Sequence, residues 1–107
     1  MIETFAGREK GFEAEFARNE ELAFRLTARR NRLFGLWVAE RLDLPAAEAS
    51  AYAAAAASAA LDAPGEEDFI RKVLADLTAR GLDVREAELR REFARAADTA
   101  RHEIFGA

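Results

Sequence analysis

The sequence has no cysteine, a single histidine and only two serines, Ser50 and Ser58. Without cysteine there is no disulfide framework and no thiolate metal site, and one histidine leaves no zinc cluster of the usual kinds. Nucleophilic triads lack parts, and no paired-carboxylate site stands out among the glutamates. The chain is therefore not read as an enzyme, and neither a cofactor nor a metal is expected. Sheet-forming residues are also scarce. Valine, isoleucine and threonine together number 10 of 107, against 65 for alanine, leucine, glutamate and arginine, a composition that predicts an all-α fold. Of the 54 hydrophobic residues 26 are alanine, so 28 larger side chains remain to build one modest core, as suits a single domain of roughly 100 residues.

A basic footprint is absent as well. The net charge of −4 argues against a general nucleic-acid partner. Met1-Ile2-Glu3-Thr4 has no positive leader or apolar run, so no signal peptide is expected. The longest uncharged stretch, Ala49 to Leu61, is 13 residues, or about 20 Å of helix against a hydrocarbon core of about 30 Å. Direct membrane insertion is not expected, and the predicted location is cytoplasmic.

What is present is helical periodicity. Phe5, Phe12 and Phe16 share one helical face of residues 1 to 18. Gly7 and Gly11 each cost that helix about 1 kcal/mol relative to alanine. From Glu20 to Leu42, Leu22, Leu26, Leu33, Leu36 and Trp37 form a stripe, with Asn19 placed to cap the start. Asp43-Leu44-Pro45 stops this helix. Residues 46 to 62 are almost all alanine, which gives strong helix propensity with little area to bury and predicts close packing on a neighbour. After Ala63-Pro64-Gly65, the acids Glu66, Glu67 and Asp68 suit a helix N-terminus, followed by the stripe Ile70, Val73, Leu74 and Leu77. Gly81 ends that helix. Asp83 and Glu86 have capping-box spacing before a last helix with the face Leu89, Phe93, Ala96, Ala100 and Ile104. Four helical segments with short turns predict an antiparallel four-helix bundle over residues 19–107, preceded by a mobile N-terminal helical segment at 1–18.

Three groups of residues are candidates for function. His102 lies off the apolar face of the last helix and reads as a solvated surface histidine; Thr99 stands where a bundle metal site of the Glu-x-x-His kind needs its glutamate. Arg29 and Arg30 belong to the acid-free run Arg25 to Arg32 and flank the leucine stripe. They form either an anion or nucleotide site or a pair of snorkelling side chains at the core edge. The aromatic face at Phe5, Phe12 and Phe16 either docks on the bundle or binds a partner.

The run Phe16-Ala17-Arg18-Asn19-Glu20-Glu21-Leu22-Ala23-Phe24-Arg25, continued by Arg29-Arg30-Asn31-Arg32-Leu33-Phe34-Gly35-Leu36-Trp37, resembles the alphaproteobacterial ATP synthase zeta subunit family. Chain length, helix order and the Gly81-Leu82-Asp83 break fit over the whole chain. The resemblance implies a four-helix regulatory protein that inhibits ATP hydrolysis by the F-type ATP synthase. Its partner would be the catalytic sector, made of the alpha, beta and gamma subunits, which places the protein beside the inner membrane through that enzyme. It also implies a mobile N-terminal segment inserted at a catalytic interface, with Phe5, Arg8, Phe12, Glu13 and Phe16 at positions of the family pattern. Gly7, Gly11 and Glu15 depart from that pattern, Glu15 standing where a basic residue is common. The alternative readings are a weak nucleotide- or anion-sensing helical protein built on Arg29 and Arg30, and a non-inhibitory adapter or assembly factor.

Overall fold

Four helices make up the regular structure among the described residues: α1 (Ile2–Arg41), α2 (Ala46–Asp62), α3 (Glu66–Ala79) and α4 (Glu86–Phe105). The structure is a computed structural model that describes residues 2–62 and 65–106, with side chains described at 18–60 and 65–106. It has the all-α, four-helix architecture that composition and periodicity predict. α1 packs along both α2 and α4. Forty residues of α-helix span about 60 Å, which accounts for the longest extent of 67 Å beside transverse extents of 26 and 23 Å.

Two expected helix starts are corrected. Asn19 does not cap a second helix, because α1 runs without interruption through it; neither proline nor glycine occurs between Phe12 and Phe34 to break the helix. Asp83 is not a capping residue either: α4 begins at Glu86 with Arg85 at the N-cap and no side-chain cap bond. Leu82 and Val84 pack against the core and hold this stretch extended, so the helix starts two residues later than the capping-box spacing implies.

The helix ends follow local chemistry. Gly81, at φ 77, donates to Thr78 O, and Leu82 donates to Leu77 O, the paired bonds of a left-handed helix stop. The end of α1 uses the same pattern on a non-glycine residue. Asp43 takes φ 56 and donates to Glu40 O while Leu44 donates to Ala39 O; an aspartate tolerates this conformation better than most side chains.

The core sits where α1, α3 and α4 meet. Phe34 is fully buried, with its ring 5.7 Å from Phe69, 5.2 Å from Phe93 and 6.1 Å from Trp37, centroid to centroid. Val38, Ile70, Val73, Leu77 and Leu89 complete it. The leucine stripe of α1 is therefore not the core: Leu22, Leu26, Leu33, Leu36 and Trp37 are half-buried, whereas Asn31, Phe34, Gly35, Val38 and Ala39 are buried. α1 is flanked on two sides, so its covered arc is wider than one stripe, and Leu33 and Trp37 lie beside α4.

α2 packs as its alanines predict. A Cβ added to Gly35 would stand 2.9 Å from the Cα of Ala53 and 3.3 Å from its carbonyl oxygen. Gly35→Ala is expected to destabilise the fold: overpacking against backbone costs about 1 to 3 kcal/mol, more than the roughly 1 kcal/mol gained in helix propensity. Denaturant unfolding checks this, and an unchanged or raised midpoint would show that α2 yields freely.

Candidate functional site

Each end of the α1–α4 contact carries an ion pair. Arg29 reaches Glu103 through two hydrogen bonds, with its Nη2 at 3.1 Å, and Arg41 pairs with Glu88. The chain order of these pairs makes α1 and α4 antiparallel, and α4 ends at Phe105, two residues or about half a turn past the partner of Arg29. Toward its N-terminus α1 outruns its neighbours: Arg18, Asn19, Glu20, Glu21, Ala23, Phe24 and Arg25 are all exposed, and every buried residue described lies between Asn31 and Ala100. The candidate partner-binding residues Phe5, Arg8, Phe12, Glu13 and Phe16 belong to this outrunning part of α1. Their side chains lie outside the described residues.

The arginine turn is divided between two neighbours. Arg29 holds the Glu103 carboxyl below the usual carboxylate range, through the hydrogen bond first and charge second, and the pairing raises Arg29 itself. Arg30 is only 15% exposed. Its Nη1 donates to Glu66 at 2.7 Å, its Nε donates to Asn31 Oδ1 at 3.1 Å, and its guanidinium lies 4.4 Å from the centroid of the Phe93 ring. A groove lined by Thr27, Arg30, Ala60, Gly65, Glu66 and Phe69 runs beside it, at the start of α3.

Sequence reasoning missed Asn31 altogether. Fully buried, it accepts from Arg30, while its Nδ2 finds no partner among the described residues. The only signal was a short polar residue inside an arginine run, which reads as surface. Arg30→Ala would leave both ends of this amide unpaired and remove the cation from the Phe93 face, an expected loss of about 1 to 3 kcal/mol. Arg29→Ala breaks a pair that is about 40% exposed on both sides, for which less than about 1 kcal/mol is expected. Unfolding of the two variants side by side separates them; equal losses would mean that Arg30 only shields the core edge.

Two further polar contacts tie α3 to its neighbours, Arg90 with Glu67 and Tyr52 with Asp76. Arg90 bridges Glu67 of α3 and Glu86 one turn before it, the latter an i,i+4 pair, and holds Glu67 below the usual carboxylate range. Tyr52 donates to Asp76 across a long 3.4 Å, in a groove lined by Ala55, Ala56, Phe69, Lys72 and Val73. Burial, and then the Asp76 charge, push the Tyr52 hydroxyl up to about 12. The unfolded chain thus ionises this tyrosine near its ordinary pKa of about 10, where the native state still holds the proton, so stability falls as pH rises from about 10 to 12. Tyr52→Phe should flatten that fall, and an identical alkaline decline in the variant would assign it elsewhere. His102 is exposed in the last turn of α4, as predicted.

The family model described as ATPase inhibitor subunit zeta matches residues 2–103. The chain belongs to this family. The match takes in all four helices, and it includes the outrunning part of α1 together with the arginine turn. Among curated proteins, none matches the chain. Zeta is named as an inhibitor subunit of an ATPase, a regulatory role. No helix among the described residues is long and apolar enough to cross a membrane.

Proposed function

We propose that this zeta chain inhibits ATP hydrolysis by the F-type ATP synthase by inserting residues 1–18 at a catalytic interface among the alpha, beta and gamma subunits, with residues 19–107 as the anchoring bundle. The observation that carries the reading is the geometry of α1. It is one helix from Ile2 to Arg41, and among its residues with described side chains Arg18 to Glu21 and Ala23 to Arg25 are exposed and none before Asn31 is buried; we take residues 1–18 as the arm that continues this exposed stretch. Phe5, Phe12 and Phe16 give the arm an apolar face at helical spacing, and Arg8 and Glu13 supply polar groups beside it. Helix-in-groove recognition uses such i, i+4, i+7 anchors. On this reading the protein sits beside the inner membrane through its enzyme.

The anion reading of Arg29 and Arg30 has less support, because a nucleotide phosphate would displace Glu103 and Glu66 from guanidinium groups already engaged. The test is steady-state ATP hydrolysis by the cognate catalytic sector as the intact protein is added. Hydrolysis should fall in a saturable manner. Co-purification with the enzyme and no change in hydrolysis at tens of micromolar would replace the inhibitor with an adapter or assembly factor.

A further inference from the structure

The three glycines of α1 are unevenly placed. Gly7 and Gly11 lie in the arm and Gly35 packs against Ala53 of α2, so neither glycine nor proline falls between Phe12 and Phe34. Within that interval residues 18–28 leave the bundle: Arg18 to Glu21 and Ala23 to Arg25 are exposed, and none of the eleven is buried. They are α-helical throughout all the same. Eight of the eleven are alanine, leucine, glutamate or arginine, all strong helix formers. Glu21 sits one turn before Arg25 with its carboxylate 2.7 Å from Nη2, the favourable order for an i,i+4 pair. Nucleation, the costly step for an isolated helix, is supplied by the packed part of α1, so residues 18–28 only propagate a helix already formed.

The base of this segment is clamped from two sides. Arg29 pairs with Glu103 of α4 and Arg30 with Glu66 of α3, and Asn31, next in the chain, is fully buried. Orientation is therefore carried outward from the core along the helix. Positions 5, 12 and 16 stand 29, 22 and 18 residues before Phe34. At about 100° per residue they fall within about 40° of its direction, and position 16 is about five whole turns from it. The Phe34 ring meets Phe69 of α3 and Phe93 of α4, so a straight α1 sets the aromatic positions of the arm on the side where α3 and α4 lie.

We propose that residues 18–28 are a rigid strut that fixes the angular register of the arm against the bundle, so that the partner ATPase receives the aromatic face only when the bundle is seated in one orientation. The inference rests on the inhibitor reading and adds the element that couples its two halves. Linking two binding elements raises affinity only where the geometry lets both engage at once. A stiff strut turns that condition into a dependence on helical phase, and the glycines of the arm leave any adjustment to its far end.

Alanine insertions between Asn19 and Glu20 separate phase from length, read as the concentration of chain that half-inhibits ATP hydrolysis by the cognate catalytic sector. Two alanines turn the arm by about 200° for about 3 Å of added length, whereas four turn it by only about 40° for about 6 Å. The two-alanine chain should need about tenfold more protein or worse, and the four-alanine chain, though longer, should stay within about threefold of the native one. Two glycines at the same point add the same length with a hinge and should recover part of the loss. Circular dichroism verifies that each chain is folded. Equal inhibition by all four chains, as a flexible tether predicts, would overturn the strut and leave the inhibitor reading standing. A loss that grows with length, four alanines being worse than two, would also overturn it, as would a glycine variant as weak as the two-alanine one. A native chain without effect on hydrolysis would remove the inhibitor reading and this inference with it. Stiffness is checked without any partner: the chain has no cysteine, so spin labels on an Asn19→Cys, Arg91→Cys variant report one distance, between the outer end of the strut and exposed α4. A single narrow distribution is expected, and a broad one would contradict the strut.

Discussion

Phe34→Ala is expected to lower the stability of the bundle by about 3 to 5 kcal/mol, the range for deleting a buried aromatic ring. Phe34 is fully buried and is the one ring in contact with Trp37, Phe69 and Phe93 together, so its loss opens a cavity bordered by three elements. Domains of this size are stable by about 5 to 15 kcal/mol, and the variant is expected to be partly unfolded at physiological temperature. Phe24→Ala makes the comparison, since Phe24 is 58% exposed and its removal should change stability by no more than about 0.5 kcal/mol. Urea unfolding of both checks the contrast. Similar losses in the two would mean that the aromatic cluster is not the centre of the core.

The helices were legible because alanine, leucine, glutamate and arginine dominate, and because Pro45, Gly65 and Gly81 mark the turns, although Gly7, Gly11 and Gly35 lie inside α1. Pro45, Gly65 and Gly81 flank the observed boundaries, and the face Leu89, Phe93, Ala96 and Ala100 is buried as its spacing predicts. The inner face of α1 was not legible. A single-stripe reading selects the leucines, but a helix flanked on two sides buries whatever lies between its neighbours, here an asparagine, a glycine and an alanine. Gly35 carries no hydrophobic signal, and only the approach of Ala53 reveals its purpose. The arginine turn was visible as a cluster, but its partners, Glu103 and Glu66, lie 74 and 36 residues away, where local spacing says nothing.

Removal of residues 1–18 is expected to abolish inhibition and leave the bundle intact. No buried residue described precedes Asn31, so the truncated chain keeps its core. For insertion, burying Phe12 and Phe16 together contributes about 3 to 6 kcal/mol. Fixing an unstructured segment costs about 1 to 2 kcal/mol per residue, which exceeds what two rings return. Two features reduce the deficit: the arm belongs to a helix continuous with the bundle, and docking of the bundle makes insertion an intramolecular step. Phe12→Ala with Phe16→Ala should therefore weaken inhibition strongly without altering the helical content of the core.

The most direct measurement is ATP hydrolysis by the cognate catalytic sector with the intact chain and with residues 19–107, both verified as folded by circular dichroism and both titrated to saturation of binding. The account predicts that the intact chain suppresses hydrolysis and that residues 19–107 bind without suppressing it. Full inhibition by residues 19–107 would contradict it and move the inhibitory contact into the bundle.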